Sequence, residues 1–349
     1  MEQNQRKRRR RRRRRNRRYI LKQRLIRGMY GMVLAIGCIV VLIVAWQGRK
    51  TAYSTKLESS LYGHALYQEN LYAVSLCTGV SRTSPGEYGI DTQTLTSAAI
   101  FDINNRQTLY ADDIFETCYP ASTTKLMTAF LALKYGNPDD VVTVGKNVTN
   151  LEPEAVSCGL REGDRITLYD LLCGLLLYSG NDNGVAIAEH ISGSVEDFAE
   201  LMNQEARKLG ATHSHFMNPH GLHEDEHYTT AYDLYLIFQA CLQDSRFVDI
   251  ISMASYTGTI TSADGTVRQS TWWPTNYYKS GNRSFPEGVQ VIGGKTGTTN
   301  EAGSCLILYS LCGENQPYIT IVMGADNKTD LYENMDLLLS VPMNIENDL

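Results

Sequence analysis

The sequence predicts an α/β fold of the α+β type, in which helices flank an antiparallel sheet. Strand-like segments stand at both ends of the predicted domain, and residues 137–242 between them are mostly helical in pattern. Because segregated runs of strands and helices favour such layers, we expect one sheet built from both ends of the domain, with a mostly helical subdomain inserted at about 137–242. The 349 residues are 43% hydrophobic, which is enough to bury a sizeable core.

Two hairpins carry the strand prediction. The first spans 97–111 around a turn at Asn104-Asn105, and the second spans 303–325 around Gly313-Glu-Asn-Gln. Each turn separates two apolar segments that are rich in strand-forming residues. Further strand-like segments are Val141–Val144, Ser255–Thr261, Gly265–Gln269 and Val289–Ile292.

The helices are predicted from apolar periodicity and from end signals. Pro120 suits a first helical turn because its missing N–H is not needed there, and apolar residues recur at helical spacing after it. Leu168–Tyr178 is apolar nearly all round, which indicates a helix buried on every side. Ser194, with Asp197 three residues later, is typical of a capped helix start. Further helices are expected just after Asn181, at 230–242 and at 329–339.

The N-terminal region differs in charge from the rest of the chain. Residues 1–27 contain 15 of the 33 Lys and Arg residues but only one acid. Met29 to Trp46 is a run of 18 uncharged residues, long enough to span a bilayer, and the basic block before it places the N-terminus in the cytoplasm. We therefore predict a basic cytoplasmic tail at 1–28, a transmembrane signal anchor at 29–46, a stalk at 47–95 and an extracytoplasmic domain at 96–345.

Two alternatives concern this N-terminal region. A cleaved signal peptide is possible in principle, but no small-x-small cleavage site follows the apolar run, and the lipoprotein-like Ala35-Ile-Gly-Cys38 lies inside it. The arginine block also has the composition of a nucleic-acid-binding tail. Its position beside the apolar run favours contact with anionic membrane lipid instead, so no nucleic-acid partner is expected.

Three short motifs occur in order along the domain. Ser122-Thr-Thr-Lys125 puts a serine and a lysine on one face of a helix, at the positive helix end where a serine can be activated. Ser179-Gly-Asn181 follows the buried helix, and Lys295-Thr-Gly297 follows a predicted strand. A second Ser-Gly-Asn copy, at 280–282, lies in a polar loop and is interpreted as a turn.

This ordered set resembles the penicillin-recognising serine acyltransferases. Residues 120–128, Ser179-Gly-Asn-Asp182, Phe216-Met-Asn-Pro-His-Gly-Leu222 and Tyr228-Thr-Thr-Ala-Tyr-Asp233 are similar to the low-molecular-weight D-alanyl-D-alanine carboxypeptidases, over roughly 96–340. The resemblance implies their fold and a catalytic domain at 96–345 that removes the C-terminal D-alanine from peptidoglycan stem pentapeptides without a cofactor. It also implies covalent inhibition by β-lactams. Only 52 residues follow Gly297, so the C-terminal β-rich domain of many relatives is not expected.

The same resemblance implies a role for each motif residue. Ser122 is the expected nucleophile, Lys125 its general base and Ser179 the proton relay to the leaving amine. Lys125 must be neutral for this role, and burial together with the charge of Lys295 would lower its pKa. Asn181 is expected to hold the substrate backbone.

The remaining motif residues are expected to bind the substrate. Lys295 and Thr296 would bind its free carboxylate, and Gly297 would let the strand approach closely. The N–H groups of Ser122 and Thr298 would form the oxyanion hole, which is typically worth a few kcal/mol of barrier per donor.

Other functions remain open from the sequence. His223-Glu-Asp-Glu-His227 matches the zinc-protease motif, but it is predicted as a loop and not as the buried helix that such a site needs, so no metal is expected. A β-lactamase is an alternative within the family, although the Glu-x-x-Leu-Asn segment of class A enzymes is missing. DD-endopeptidase or transpeptidase activity of the same fold also stays open, and transpeptidation differs only in which nucleophile arrives second. A catalytically inactive wall-binding module is the remaining hypothesis.

Two smaller predictions concern cysteine and tryptophan. The chain has eight cysteines but no C-x-x-C pair, so disulfide pairing is not deducible and no zinc ribbon is indicated. Cys173 and Cys305 lie in apolar runs and are expected in the core. Trp272-Trp273 would suit stacking on glycan if exposed, and burial is the alternative.

Overall fold

The computed structural model describes residues 87–152 and 155–347. Its main sheet has five antiparallel strands, which are β1 Ser97–Asp102, β2 Gln107–Asp112, β7 Val289–Thr299, β8 Gly303–Cys312 and β9 Gln316–Ala325. The strand order is β2-β1-β9-β8-β7, so the N-terminal hairpin joins the C-terminal hairpin through β1 and β9. Both predicted hairpins and the prediction of a sheet built from both ends are confirmed.

A second, four-stranded sheet corrects the expectation of a single one. It consists of β3 Val141–Thr143, β4 Arg165–Thr167, β5 Tyr256–Thr261 and β6 Val267–Trp272, paired in that order. The segments predicted at 255–261 and 265–269 are therefore strands, but they do not join the main sheet. Of their partners, β3 confirms the strand predicted at Val141–Val144, whereas β4 has three residues, too few to show the alternation that identifies a strand.

The predicted helices are present among the α-helices of the described residues, and those at 245–252 and 277–280 were not predicted. The α-helices are α1 Lys125–Tyr135, α2 Leu168–Cys173, α3 Asn181–Ser192, α4 Val195–Lys208, α5 Ala231–Cys241, α6 Ser245–Ser252, α7 Tyr277–Ser280 and α8 Lys328–Asn347. The Ser194 side chain accepts the N–H of Asp197, as the capping pattern predicted. The helix predicted at 168–178 changes after Cys173 into a π-helical turn, Gly174–Tyr178, a winding that often occurs at functional sites.

Both faces of the main sheet are buried. In β1, Ala99 and Phe101 face a core shared with α1 and α5, whereas Ala98 and Ile100 face a second core under α8. This follows from the period of two in a strand, which sends alternate side chains to opposite faces. Helices therefore cover both faces, and β7 forms one edge of the main sheet in the described part of the chain.

The predicted membrane anchor lies outside the described residues. No helix within 87–152 and 155–347 is both long and apolar enough to cross a bilayer. The predicted tail at 1–28, the anchor at 29–46 and most of the stalk belong to the part of the chain that the structure does not describe.

Cys173 and Cys305 lie fully buried in the core, which confirms that prediction. The cysteines that the structure describes as free thiols include Cys118, Cys158, Cys173, Cys241 and Cys305.

Candidate active site

Ser122 lies in the 3-10 turn Ala121–Thr124 that leads into α1. The sequence predicted an α-helical first turn, and the structure has this tighter turn with Pro120 at its cap. Ala121 has a φ of 45°, a left-handed conformation that is costly for a residue with a Cβ. The turn presents Ser122 to a cleft with a volume of about 190 Å³.

Lys125, one helical turn later, is fully buried and contacts three oxygen atoms. Its Nζ lies 2.9 Å from Ser122 Oγ, 2.6 Å from Asn181 Oδ1 and 2.6 Å from the backbone oxygen of His220. The predicted contact of Lys125 with Ser122 is therefore present, and Asn181 joins them. The His220 carbonyl is a partner that sequence reasoning missed.

The chemistry of these partners determines where the amine lone pair points. The oxygens of Asn181 and His220 only accept hydrogen bonds, and a neutral amine has two N–H groups to donate to them. The lone pair then remains for the Ser122 hydroxyl, which can donate its proton. This geometry suits Lys125 as a neutral base.

The surroundings favour the neutral form of Lys125. Burial is the main cause that lowers its pKa well below the ordinary 10.5, and the positive charge of Lys295 lowers it further. The buried carboxylate of Asp182 opposes this shift. The Asp182 carboxylate accepts hydrogen bonds from the N–H groups of Cys158 and Leu160 at 2.9 and 3.0 Å, which fix its position.

Ser179 follows the π-helical turn and has a left-handed φ of 69°. Its hydroxyl oxygen accepts a hydrogen bond of 2.9 Å from Lys295 Nζ. Two residues later Asn181 begins α3, and its N–H donates to the Val156 oxygen at 2.7 Å. The π-helical turn thus ends in a backbone bend that brings Ser179 and Asn181 to the two lysines.

Lys295 lies in the middle of β7 and is fully buried. Besides Ser179 Oγ, its amine contacts the backbone oxygen of Thr296 at 2.8 Å. Burial lowers the pKa of Lys295 to about 7. Because this amine has no exposed surface, it reaches the cleft through Ser179 and Thr296.

Gly297 lets β7 pack against the serine-bearing turn. A Cβ at this position would lie 2.9 Å from the Ser122 nitrogen and 3.0 Å from the Pro120 oxygen, both of which are backbone atoms. Any residue with a side chain would therefore push the strand away from Ser122. The predicted close approach of β7 to the serine-bearing turn therefore depends on the missing side chain of Gly297.

The cleft brings most of the predicted residues together and adds others. The predicted residues in its lining are Ser122, Ser179, Thr296, Gly297 and Thr298. Lining residues that sequence reasoning missed include Thr275, Tyr277, Lys328 and Tyr332. The Lys328 amine lies over the Tyr277 ring, 5.7 Å from its centroid. No motif surrounds Thr275 or Lys328, so the sequence contained no signal for either.

The loop 216–222 holds the His220 carbonyl against Lys125. Asn218 Oδ1 accepts the N–H of Gly221 at 2.7 Å, and the Thr128 hydroxyl of α1 donates to the Pro219 oxygen at 2.6 Å. Gly221 has a φ of 84°, and a Cβ there would lie 1.8 Å from the Ala121 oxygen. The loop therefore depends on this glycine to fit against the serine-bearing turn.

The zinc-protease-like segment 223–227 is not helical. His227 is buried, with its Nε2 2.8 Å from Thr124 Oγ1 and its Nδ1 accepting the N–H of Met217 at 3.2 Å. Burial lowers the pKa of His227 to about 3, so the ring is neutral. Within the described residues, no group of three or more His, Cys, Asp or Glu side chains is placed to hold a metal ion.

The two tryptophans differ in exposure. Trp272 is buried and stacks on Tyr256, with the ring centroids 6.3 Å apart. Trp273 is 58% exposed. Of the two alternatives, burial is therefore correct for Trp272, whereas Trp273 is exposed.

Comparisons with known proteins agree on one family. A model described as D-alanyl-D-alanine carboxypeptidase matches residues 84–327. D-alanyl-D-alanine carboxypeptidase DacD of Escherichia coli is 32% identical over 253 residues, which cover 70% of this chain and 61% of that protein. DacF of Bacillus subtilis is 34% identical over 237 residues, which cover 66% of this chain and 57% of that protein. The chain thus spans less than two thirds of the length of these curated relatives.

Solved structures with a similar fold include the Streptomyces K15 DD-transpeptidase. It aligns with a TM-score of 0.67 at 25% identity, covering 76% of this chain and 100% of that one. Penicillin binding protein 5 from Haemophilus influenzae aligns with a TM-score of 0.64 at 28% identity, covering 76% of this chain and 73% of that one. The described fold is therefore shared with penicillin-binding DD-peptidases.

Proposed function

Because the chain belongs to the D-alanyl-D-alanine carboxypeptidase family, we propose that it is a serine-type D-alanyl-D-alanine carboxypeptidase acting on peptidoglycan stem pentapeptides. The observation that carries this proposal is the position of Lys125. Two acceptor oxygens occupy both N–H groups of its neutral amine, which leaves the lone pair for Ser122 Oγ at 2.9 Å. A serine with a buried neutral amine as its base is an activated nucleophile.

Acylation begins with Ser122 Oγ attacking the carbonyl carbon between the two terminal D-alanines, while its proton passes to Lys125 Nζ. The resulting oxyanion is stabilised by the backbone N–H groups of Ser122 and Thr298, each typically worth a few kcal/mol of barrier. The Asn181 side chain contacts Lys125 and is assigned to the substrate backbone as well.

The leaving amine needs a proton, and Ser179 is assigned to deliver it. Its hydroxyl would donate to the nitrogen as the C–N bond breaks, and free D-alanine would leave. Lys295 donates to Ser179 Oγ and has a pKa of about 7. A group with a pKa near the working pH transfers protons efficiently, so Lys295 can restore the Ser179 proton.

Recognition of the free carboxylate is assigned to Thr296 and the nearby cations. Thr296 lines the cleft and offers its hydroxyl, whereas the buried Lys295 acts through its positive field. Lys328 lines the same cleft and is exposed, so its ammonium adds a second positive charge that a carboxylate can approach. This charge would favour substrates with a free C-terminus.

Deacylation needs a water molecule to attack the ester, with Lys125 again accepting the proton. An amine of a second stem peptide in place of water would give a cross-link, which is the DD-transpeptidase alternative. Hydrolysis of such a cross-link, with water as the nucleophile and the amine of the second stem peptide as the leaving group, is the DD-endopeptidase alternative. The likeness to the Streptomyces K15 DD-transpeptidase supports keeping the first of these. A β-lactam would acylate Ser122 in the same way, and rapid hydrolysis of that adduct would indicate the β-lactamase alternative.

The location of the enzyme is part of the same proposal. Peptidoglycan lies outside the cytoplasmic membrane, and the predicted single-pass anchor at 29–46 would tether the catalytic domain there in a bacterial cell. The basic tail at 1–28 would contact anionic lipid on the cytoplasmic side. Protease accessibility of the domain in spheroplasts tests this topology.

The decisive experiment uses the full chain in detergent. A fluorescent penicillin should label the protein but not Ser122→Ala, and a muropeptide ending in D-Ala-D-Ala should lose one alanine by mass spectrometry. A cross-linked product would favour the transpeptidase alternative. Absence of both labelling and alanine release would refute the proposal, and loss of activity in chelator would favour the metalloprotease alternative.

A further inference from the structure

Thr275 shares the cleft with the motif residue Thr296 although nothing in the sequence connects them. Their hydroxyl oxygens lie 2.5 Å apart, and both residues line the cleft. Thr275 belongs to the short segment between β6 and α7, and Thr296 belongs to β7. A side-chain hydrogen bond thus joins two separate walls of the cleft.

The count of protons in this pair limits what it can do. Two hydroxyl groups carry two protons, and one of them lies between the oxygens. One proton is therefore left for another acceptor, and it belongs to the hydroxyl that accepts the bond from its partner. When Thr275 donates to Thr296, the remaining proton is that of Thr296. A hydroxyl that accepts one hydrogen bond becomes a stronger donor in the next, because hydrogen bonds in a chain polarise one another.

The backbone holds Thr275 in this position from both sides. Its N–H donates to the Leu177 oxygen at 3.1 Å, which ties it to the π-helical turn that precedes Ser179. After it, the N–H of Tyr277 donates to the Tyr332 hydroxyl at 2.9 Å, and the two rings stack with centroids 4.6 Å apart. Thr275 is thus fixed to the Ser179 element on one side and to α8 on the other.

We propose that Thr275 is a positioning residue for recognition of the substrate carboxylate, acting by orienting the Thr296 hydroxyl as a donor into the cleft. The inference rests on the proposed function, because it assumes a substrate with a free C-terminal carboxylate. Without Thr275, the Thr296 hydroxyl is free to rotate toward water or toward other acceptors. Part of the affinity for the carboxylate is then lost, because the donor must be oriented again for each substrate.

The test compares two substrates that differ only at the C-terminus. One is a peptide ending in D-Ala-D-Ala with a free carboxylate, and the other is the same peptide as its primary amide. In Thr275→Val the hydroxyl is replaced by a methyl group of similar size. We expect kcat/KM for the carboxylate substrate to fall about tenfold, mainly through KM, because hydrogen bonds to charged groups are stronger than those to neutral ones. Turnover of the amide should be unchanged.

Two further variants control for packing. Thr275→Ser keeps the hydroxyl and should restore the carboxylate preference. Thr257→Val breaks another threonine pair, in which the hydroxyl oxygens of Thr257 and Thr271 lie 2.9 Å apart on the four-stranded sheet. This variant should leave kcat/KM for both substrates unchanged.

Each outcome separates the inference from the function that it assumes. Equal losses for both substrates in Thr275→Val, no loss for either, or a failure of Thr275→Ser to restore the preference would overturn the role of Thr275. If the wild-type chain cleaves neither substrate and Ser122 is not acylated, the proposed function itself fails, and the inference fails with it.

Discussion

The two buried lysines predict that the protein becomes more stable as the pH rises above neutrality. Burial lowers the pKa of Lys295 to about 7, whereas the unfolded chain keeps the ordinary value of 10.5. Between these values the unfolded state binds more protons than the folded state, so the free energy of unfolding rises with pH. The pKa of Lys125 is lowered for the same reason, and its contribution has the same sign.

The size of the effect follows from the titration of Lys295. Its folded amine is half protonated at a pH of about 7 and almost neutral at about 8.5, and integrating between these limits gives a gain of about 1.6 kcal/mol in unfolding free energy. Lys125 adds to this gain.

The other buried groups contribute less within this window. His220 and His227 have pKa values lowered to about 3, so their stabilising contribution is nearly complete above their ordinary 6.5. Burial raises the pKa above the ordinary 9.0 for five thiols, those of Cys118, Cys158, Cys173, Cys241 and Cys305. The unfolded chain begins to ionise them toward a pH of about 8.5, which lowers the unfolding free energy by about 0.2 kcal/mol per thiol. The gain from the two lysines exceeds this loss.

Urea unfolding of the full chain at the two ends of this window measures the effect. In Lys295→Met the rise should shrink by about 1.6 kcal/mol with an unchanged m-value. Lys146→Met, at an exposed position, should keep the full rise. A stability that stays flat or falls across the window in the wild-type chain would mean that both ammonium groups keep their ordinary pKa in the fold. The neutral base on which the proposed mechanism depends would then be wrong.

Three further predictions concern the catalytic groups. Lys125→Arg should reduce penicillin acylation by at least about 100-fold, because a guanidinium stays protonated and cannot act as a base. Lys295→Arg keeps the positive charge and should reduce acylation less, while it raises KM for the peptide substrate; a larger loss of acylation in Lys295→Arg, measured by stopped-flow labelling, would exchange the two roles. Gly297→Ala should slow acylation by about 100-fold, because β7 must move away from Ser122, and a normal rate would show that the strand can yield. Asp182→Asn removes a charge that raises the pKa of Lys125, so the acidic limb of the acylation pH profile should move to lower pH, and an unmoved limb would contradict this coupling.

The sequence was most informative where the structural signal is local. The hairpin around Gly313-Glu-Asn-Gln and the cap at Ser194 depend on residues that are neighbours in the chain, and the structure has both. The second sheet depends on pairing between Val141–Thr143, Arg165–Thr167 and a hairpin about 90 residues further on. Such pairing is a property of the folded chain. The segment at 141–144 was predicted as a strand but without its partners, and Arg165–Thr167 is too short to show a periodicity of its own.

In the site, as in the fold, residues within sequence motifs were predicted, whereas several contacts between distant parts of the chain were not. The motif residues were predicted as a group, and the structure brings Ser122, Lys125 and Asn181 into direct contact. The His220 carbonyl was not predicted, because every residue carries a carbonyl and only the fold selects one. Thr275 escaped prediction for a related reason, since its function depends on a hydroxyl that is 21 positions away in sequence.

The two buried lysines differ through their partners and not through their residue type. Lys125 faces two oxygens that only accept hydrogen bonds and one hydroxyl. Both N–H groups and the lone pair of its neutral amine therefore have a partner when the hydroxyl donates to it. Lys295 faces one accepting oxygen, that of Thr296, and the Ser179 hydroxyl. A charged Lys295 therefore directs a proton toward Ser179, and its pKa of about 7 allows it to give that proton up. The same side chain thus serves as a base on the nucleophile side and as a proton donor on the leaving-group side, and the difference comes from the atoms that surround each amine.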